Sequence, residues 1–147
     1  MNLLPSLKET QQETLKYYDL PAEDLSKAYG PGKWSVRQIL IHLSDAESVL
    51  LTRLKKIISE PRQVIWAFDQ DLWCNTLDYN TFPLDISKNS FIANRQEVIY
   101  LVDKFYDTLG SREFIHSETG LRTLKQEFEK VASHNQGHLD QIKKALT

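Results

Sequence analysis

A single cysteine, Cys74, leaves no partner for an internal disulfide and no CxxC pair for zinc, so a reducing, cytoplasmic setting is expected. No stretch reaches the roughly 20 apolar residues of a membrane span. The opening "MNLLPSLKETQQ" lacks the basic region and sustained apolar run of a secretory signal, and no membrane partner is expected. An excess of one charge sign is missing as well. Eighteen Lys and Arg face 20 Asp and Glu, a formal net charge of -2, and the tightest basic groups, "RLKK" and "IKK", fall at helix ends where they complement the macrodipole. Nucleic acid is therefore a poor partner. There is no GxGxxG, Walker or GxSxG string, no internal repeat and no low-complexity tract, and only "QVIWAF" hints at the two-residue alternation of a strand.

What is present is helical. From Ser35, "SVRQILIHLSDAESVLLTRLKKIISEP" opens with a capping-box pattern, Ser35 with Gln38, and stops at Pro61, a helix of about seven turns. Its stripe of Ile39, Leu43, Ala46, Leu50, Leu54 and Ile57 steps by threes and fours as a bundle seam does. A second long helix is expected over 85–109, with stripe Phe91, Val98, Val102, Phe105 and Leu109, a gap at Arg95, and Gly110 in the usual C-terminal glycine position. The last helix is expected from near Leu121, with Leu124, Phe128, Val131, His138, Ile142 and Ala145 on one face. Leu4, Leu7, Leu15 and Tyr18 mark a first helix whose apolar face is broken at Gln11 and Thr14, and "PAEDLSKAY" adds a short turn. Residues 60–83 are long for a structureless connection, and long connections in bundles often carry function or turns of their own. Residues 1–147 thus read as one all-α domain, a four-helix bundle with one long crossover.

The chemistry concentrates in "VASHNQGHLDQIKKAL". His134 and His138 are one helical turn apart, so their side chains project about 40° from one another and about 6 Å apart along the axis, within reach of one ion. His42, beside Ile39, Leu43 and Ala46, faces the same bundle interior. A lone interior histidine is most often satisfied by a carbonyl or carboxylate. Three buried imidazoles without a shared purpose would each cost roughly 1 to 3 kcal/mol if left unpaired, an objection that a common metal removes. Three ligands with a fourth position open describe a catalytic site, because structural zinc sites are usually closed by four. Arg95 either forms an internal ion pair, with Asp45 as the partner in view, or clamps the carboxylate of a small-molecule substrate. Asp45 has a second available role, orienting a ligand imidazole. Asp69 and Asp71 either cap a turn or touch substrate, Cys74 reads as a buried apolar residue, and Trp34, Trp66 and Trp73 read as core or interface aromatics.

Assembled, these residues resemble the DinB-like superfamily, and within it the YfiT-type branch of metal-dependent hydrolases. "KWSVRQILIHLSDAE" is similar to the Trp-Ser-capped second helix of that family with its histidine ligand, here His42. "FDQDLW" resembles the acidic-aromatic segment of the crossover, and "HSETG" a His-Pro-Glu-x-Gly element before the last helix, with Ser117 in place of the proline. "HNQGH" matches the ligand pair, here His134 and His138. Where the branch often has a tryptophan and a further histidine, this chain has Ser133 and Gly137, so a different pocket wall is expected. The resemblance implies an up-down-down-up bundle, often a homodimer, and a three-histidine site for a divalent ion, zinc or nickel. Its activities divide between hydrolysis, isomerisation and thiol S-transfer with a low-molecular-weight thiol. A non-catalytic module that binds metal or ligand, or acts as a dimeric stress-response scaffold, is the alternative. His116 is expected at the rim or in a structural role, not as a fourth ligand.

Overall fold

The computed structural model describes residues 2–147. The chain runs α1 (Leu3–Tyr17), α2 (Ala22–Leu25), α3 (Val36–Ser59), β1 (Val64–Ile65), α4 (Gln70–Thr76), α5 (Leu84–Leu109), β2 (Glu113–His116), β3 (Gly120–Thr123) and α6 (Leu124–Leu146). The four long helices form a four-helix bundle. Their directions follow from side-chain contacts. Ser44 bonds the Ser87 carbonyl and Lys55 reaches Glu97, so α3 and α5 run parallel. His42 meets His134 while Arg53 faces Glu127, so α3 and α6 run antiparallel. Tyr18 touches Ser87 while Leu7 accepts from Arg95, so α1 and α5 are antiparallel too. The order is up-down-down-up. Parallel neighbours such as α3 and α5 need a connection that travels back along the bundle, roughly 36 Å for a helix the length of α3. That is why residues 60–83 are long, and β1 and α4 give this return path its structure.

Helix starts obey local chemistry. The expected capping box of α3 is formed, with Ser35 N–H donating to Gln38 Oε1 at 2.8 Å and Gln38 N–H to Ser35 Oγ at 3.2 Å. A second box, Thr123 with Gln126, starts α6 three residues later than expected. Leu121 lies instead in an exposed strand position. A small sheet, ordered β1-β2-β3 with β1 parallel and β3 antiparallel to β2, was legible only at β1, within "QVIWAF". β2 alternates exposed and buried, which turns Phe114 and His116 inward. Gly110 also departs from expectation. Its φ of -58° is right-handed, and it is needed because a Cβ there would lie 2.2 Å from the Tyr106 carbonyl oxygen.

Two apolar clusters occupy opposite ends of the bundle. One joins Leu3, Leu7, Leu54, Val98, Phe128 and Val131, the other Tyr18, Val36, Ile39, Leu43 and Ile142. Between them sits a polar layer centred on Arg95, which is 0% exposed. Its Nη1 donates to the Leu7 carbonyl at 2.9 Å and Thr10 Oγ1 at 3.0 Å. Its Nη2 donates to Glu47 Oε1 at 3.0 Å and Asn135 Oδ1 at 2.7 Å, and its Nε donates to Glu47 Oε2. All five guanidinium donors are therefore spent, on groups from α1, α3 and α6. Asn135 in turn donates to Thr14 at 3.0 Å. The break in the apolar face of α1 at Thr14 is thus part of a cross-link joining all four helices.

Candidate metal centre

α3 and α6 bring the three predicted histidines together. His42 Nε2 lies 3.1 Å from His134 Nε2, which lies 3.2 Å from His138 Nε2, and the three ligating atoms fall within 4.8 Å of one another. Tetrahedral ligands at about 2.0 to 2.1 Å from zinc stand about 3.3 Å apart, so the spacing suits one ion. His138 Nδ1 faces Gln141 Oε1 at 2.8 Å, an acceptor that keeps the proton on Nδ1 and leaves Nε2 a bare lone pair. His42 Nδ1 is buried with no partner, a cost that a strong bond at Nε2 would offset. The rings are held neutral. Burial, then the neighbouring imidazoles, pushes His42 down to about 2, and burial followed by His138, Lys130 and Arg95 takes His134 down to about 3. Burial also lowers His138, opposed by Gln141. Neutral imidazole is the form that ligates.

Aromatic rings wall the cluster. Trp34 lies 4.9 Å from the His42 ring and stacks on His138 at 6.5 Å, while Phe68 covers His42 at 6.3 Å and is backed by Trp73 at 4.8 Å. Ser133 and Gly137, where a different wall is expected, are both exposed on α6. Beside the histidines is a cavity of about 180 Å³, lined by His42 and His134 together with Arg53, Phe68, His116 and Lys130. Exposed Gln70 and Glu118 stand at its rim.

Two expected participants lie elsewhere. Arg95, considered as a substrate clamp, has no donor left for a ligand, and its carboxylate partner is Glu47, not Asp45. Asp45 accepts from the Tyr79 hydroxyl and does not reach the orphaned Nδ1 of His42, so it orients no ligand. Burial raises the Asp45 pKa, opposed by that same hydrogen bond. Asp69 caps α4 by accepting from Leu72 N–H, Asp71 is exposed, and Cys74 is buried with its thiol pushed up by burial. His116 stands apart from the three-histidine cluster. Its Nδ1 accepts from the Glu118 and Thr119 N–H groups at 3.1 and 3.3 Å, so the neutral ring carries its proton on Nε2. Ser117 explains the missing proline. It donates its N–H to the Ile65 carbonyl at 2.8 Å, which a proline could not do, and its Oγ accepts from Ala67 N–H.

Arg53, Lys130 and Gln141 were not singled out from sequence, although spacing contained a signal for each. Arg53 follows His42 by eleven residues, within about 20° of the same helix face. Lys130 precedes His134 by one turn, and Gln141 follows His138 by three residues.

Comparison with known proteins gives the family and the fold. The sequence profile of the DinB superfamily matches residues 6–142. Two provisionally named metal-dependent hydrolases of Oceanobacillus iheyensis are similar. One is 33% identical over 124 residues, covering 84% of this chain and 72% of the relative. The other is 29% identical over 125 residues, covering 85% and 72%. Among solved structures, YfiT from Bacillus subtilis, described as a probable metal-dependent hydrolase with an unusual four-helix bundle topology, superposes with a TM-score of 0.88. That match has 22% identity and covers 97% of this chain and 83% of YfiT, a likeness of fold.

Proposed function

Since this chain belongs to the DinB superfamily, we propose that it is a metal-dependent enzyme that transforms a small molecule at His42, His134 and His138. The observation that carries the reading is the convergence of three neutral Nε2 atoms beside a cavity of about 180 Å³. A divalent ion there, zinc or nickel, supplies Lewis acidity toward an oxygen, or stabilises the thiolate of a low-molecular-weight thiol. The chain's own groups do the rest. Gln141 sets the His138 tautomer, Trp34 and Phe68 hold the rings and exclude water, and the His116 N–H offers a neutral donor to the cavity.

The relatives' names favour hydrolysis, whereas thiol S-transfer follows from the wider family resemblance, and both would draw on an ion held by the same three histidines. Elemental analysis of purified protein, followed by parallel screens of ester hydrolysis and of thiol addition to electrophiles, with and without chelator, tests the reading. Turnover that chelator abolishes and added metal restores is expected. Stoichiometric metal with no chelator-sensitive turnover in either screen would favour the non-catalytic module instead.

A further inference from the structure

The cavity beside the histidines has a charged wall on which the metal reading makes no demand. Arg53 spends one hydrogen bond on the Trp66 carbonyl at 2.8 Å. Its Nη1 stands 3.8 Å from Glu127, too long for a hydrogen bond. Among the described residues its other donors make no hydrogen bond, in contrast to those of Arg95. Lys130 lines the same cavity and makes no hydrogen bond or ion pair among the described residues. Glu127 is 0% exposed, and among the described residues neither of its carboxylate oxygens has a hydrogen-bond partner. One buried carboxylate thus balances two cations from a distance, leaving a positive charge in a poorly solvated space. The other nearby carboxylate, Glu118, is exposed and screened by water. Phe68 spans the gap to the metal centre, its ring 5.9 Å from Arg53 Cζ and 6.3 Å from the His42 ring.

We propose that Arg53 and Lys130, assisted by the His116 N–H, form an anion subsite, so that the ligand is a small molecule bearing a carboxylate or similar oxyanion a few bonds from its metal-binding atom. The metal-binding atom in this ligand rests on the histidine trio being the metal centre, whereas the anion contacts do not. The cavity, about 180 Å³ and open on one side, is below the roughly 300 to 1,000 Å³ of drug-sized ligand sites, so the anion belongs to a compact molecule or to one end of a longer one. Arginine suits the task because its planar fork can meet both oxygens of a carboxylate. Glu127 keeps the two cations tolerable in the free protein without occupying their donors.

The cobalt-loaded protein is titrated with ω-mercaptocarboxylates of two to six carbons and with ω-mercaptoalcohols of equal length, following the sulfur-to-cobalt charge-transfer band. The carboxylates should bind at least tenfold more tightly than the alcohols at one best length. Arg53→Met should collapse that ratio. Lys130→Met should lower it, and serves if the first variant does not fold. Glu127→Gln, of the same shape, should raise it. Equal affinities for the two series would overturn the subsite and leave the metal reading standing. A spectrum blind to both series would instead overturn the metal reading. The subsite would then stand or fall on whether glutarate binds by calorimetry to the wild-type protein and fails to bind Arg53→Met.

Discussion

Replacing Arg95 by methionine strips the polar layer of its only cation while nearly preserving volume. Glu47, 3% exposed, loses both of its hydrogen bonds, and Asn135 Oδ1 loses its donor. Removing one side of a buried ion pair costs about 3 to 5 kcal/mol, because the remaining charge stays desolvated. In a domain of this size each kcal/mol moves Tm by roughly 2 to 4 °C, so a fall of about 6 to 20 °C is expected. Chemical denaturation and calorimetry of the variant measure it, with metal content as the parallel readout. Metal content should be largely retained, since Arg95 touches none of the three histidines. The double variant Arg95→Met/Glu47→Leu removes the stranded carboxylate as well and should regain most of the loss, because apolar replacement of a whole buried pair is often neutral or better. A single variant within about 1 kcal/mol of wild type, or a double variant less stable than the single, would refute this account of the layer.

Alanine at His42, His134 or His138 should each lower bound metal measured by elemental analysis while circular dichroism stays helical. Alanine at His116 should leave the metal in place, and the opposite pattern would reassign the ligands. The metal-free protein should lose stability as pH falls. Above pH 6.5 the histidines are neutral folded and unfolded. Below it the unfolded chain takes up protons that His42 and His134, held down to about 2 and about 3, refuse, at roughly 1.4 kcal/mol per pH unit for each. A His42→Ala/His134→Ala variant should therefore give a flatter stability profile between pH 6 and 4. Parallel profiles would show that the two rings are not held neutral in the folded protein.

The helices and the histidine trio were readable because both rest on local rules. Periodicity assigns a residue to a stripe, a capping box starts a helix, and an HxxxH pair shares a face whatever surrounds it. The hairpin at 113–123 escaped because two four-residue strands offer too little alternation to separate from turns, and the overlooked Thr123 box would have placed the start of α6. Gly110 was rightly singled out at a helix end, but the close approach of a carbonyl that requires it is a tertiary fact.

The two arginines mark where local rules stop. Arg53 and Arg95 both lie on seams of long helices, and their stripes alone do not tell them apart. Which one can meet a ligand depends on what the neighbouring helices and the crossover put in front of it. At Arg95, α1, α3 and α6 converge and consume every donor. At Arg53 the crossover sets Phe68 and the Trp66 carbonyl against the guanidinium, and a cavity stays open. Sequence by itself determined four helices and three imidazoles on interior faces, since those depend on positions a few residues apart. The tertiary structure decided which guanidinium lies beside a cavity, because donor satisfaction is settled by groups distant in the chain and adjacent only after packing.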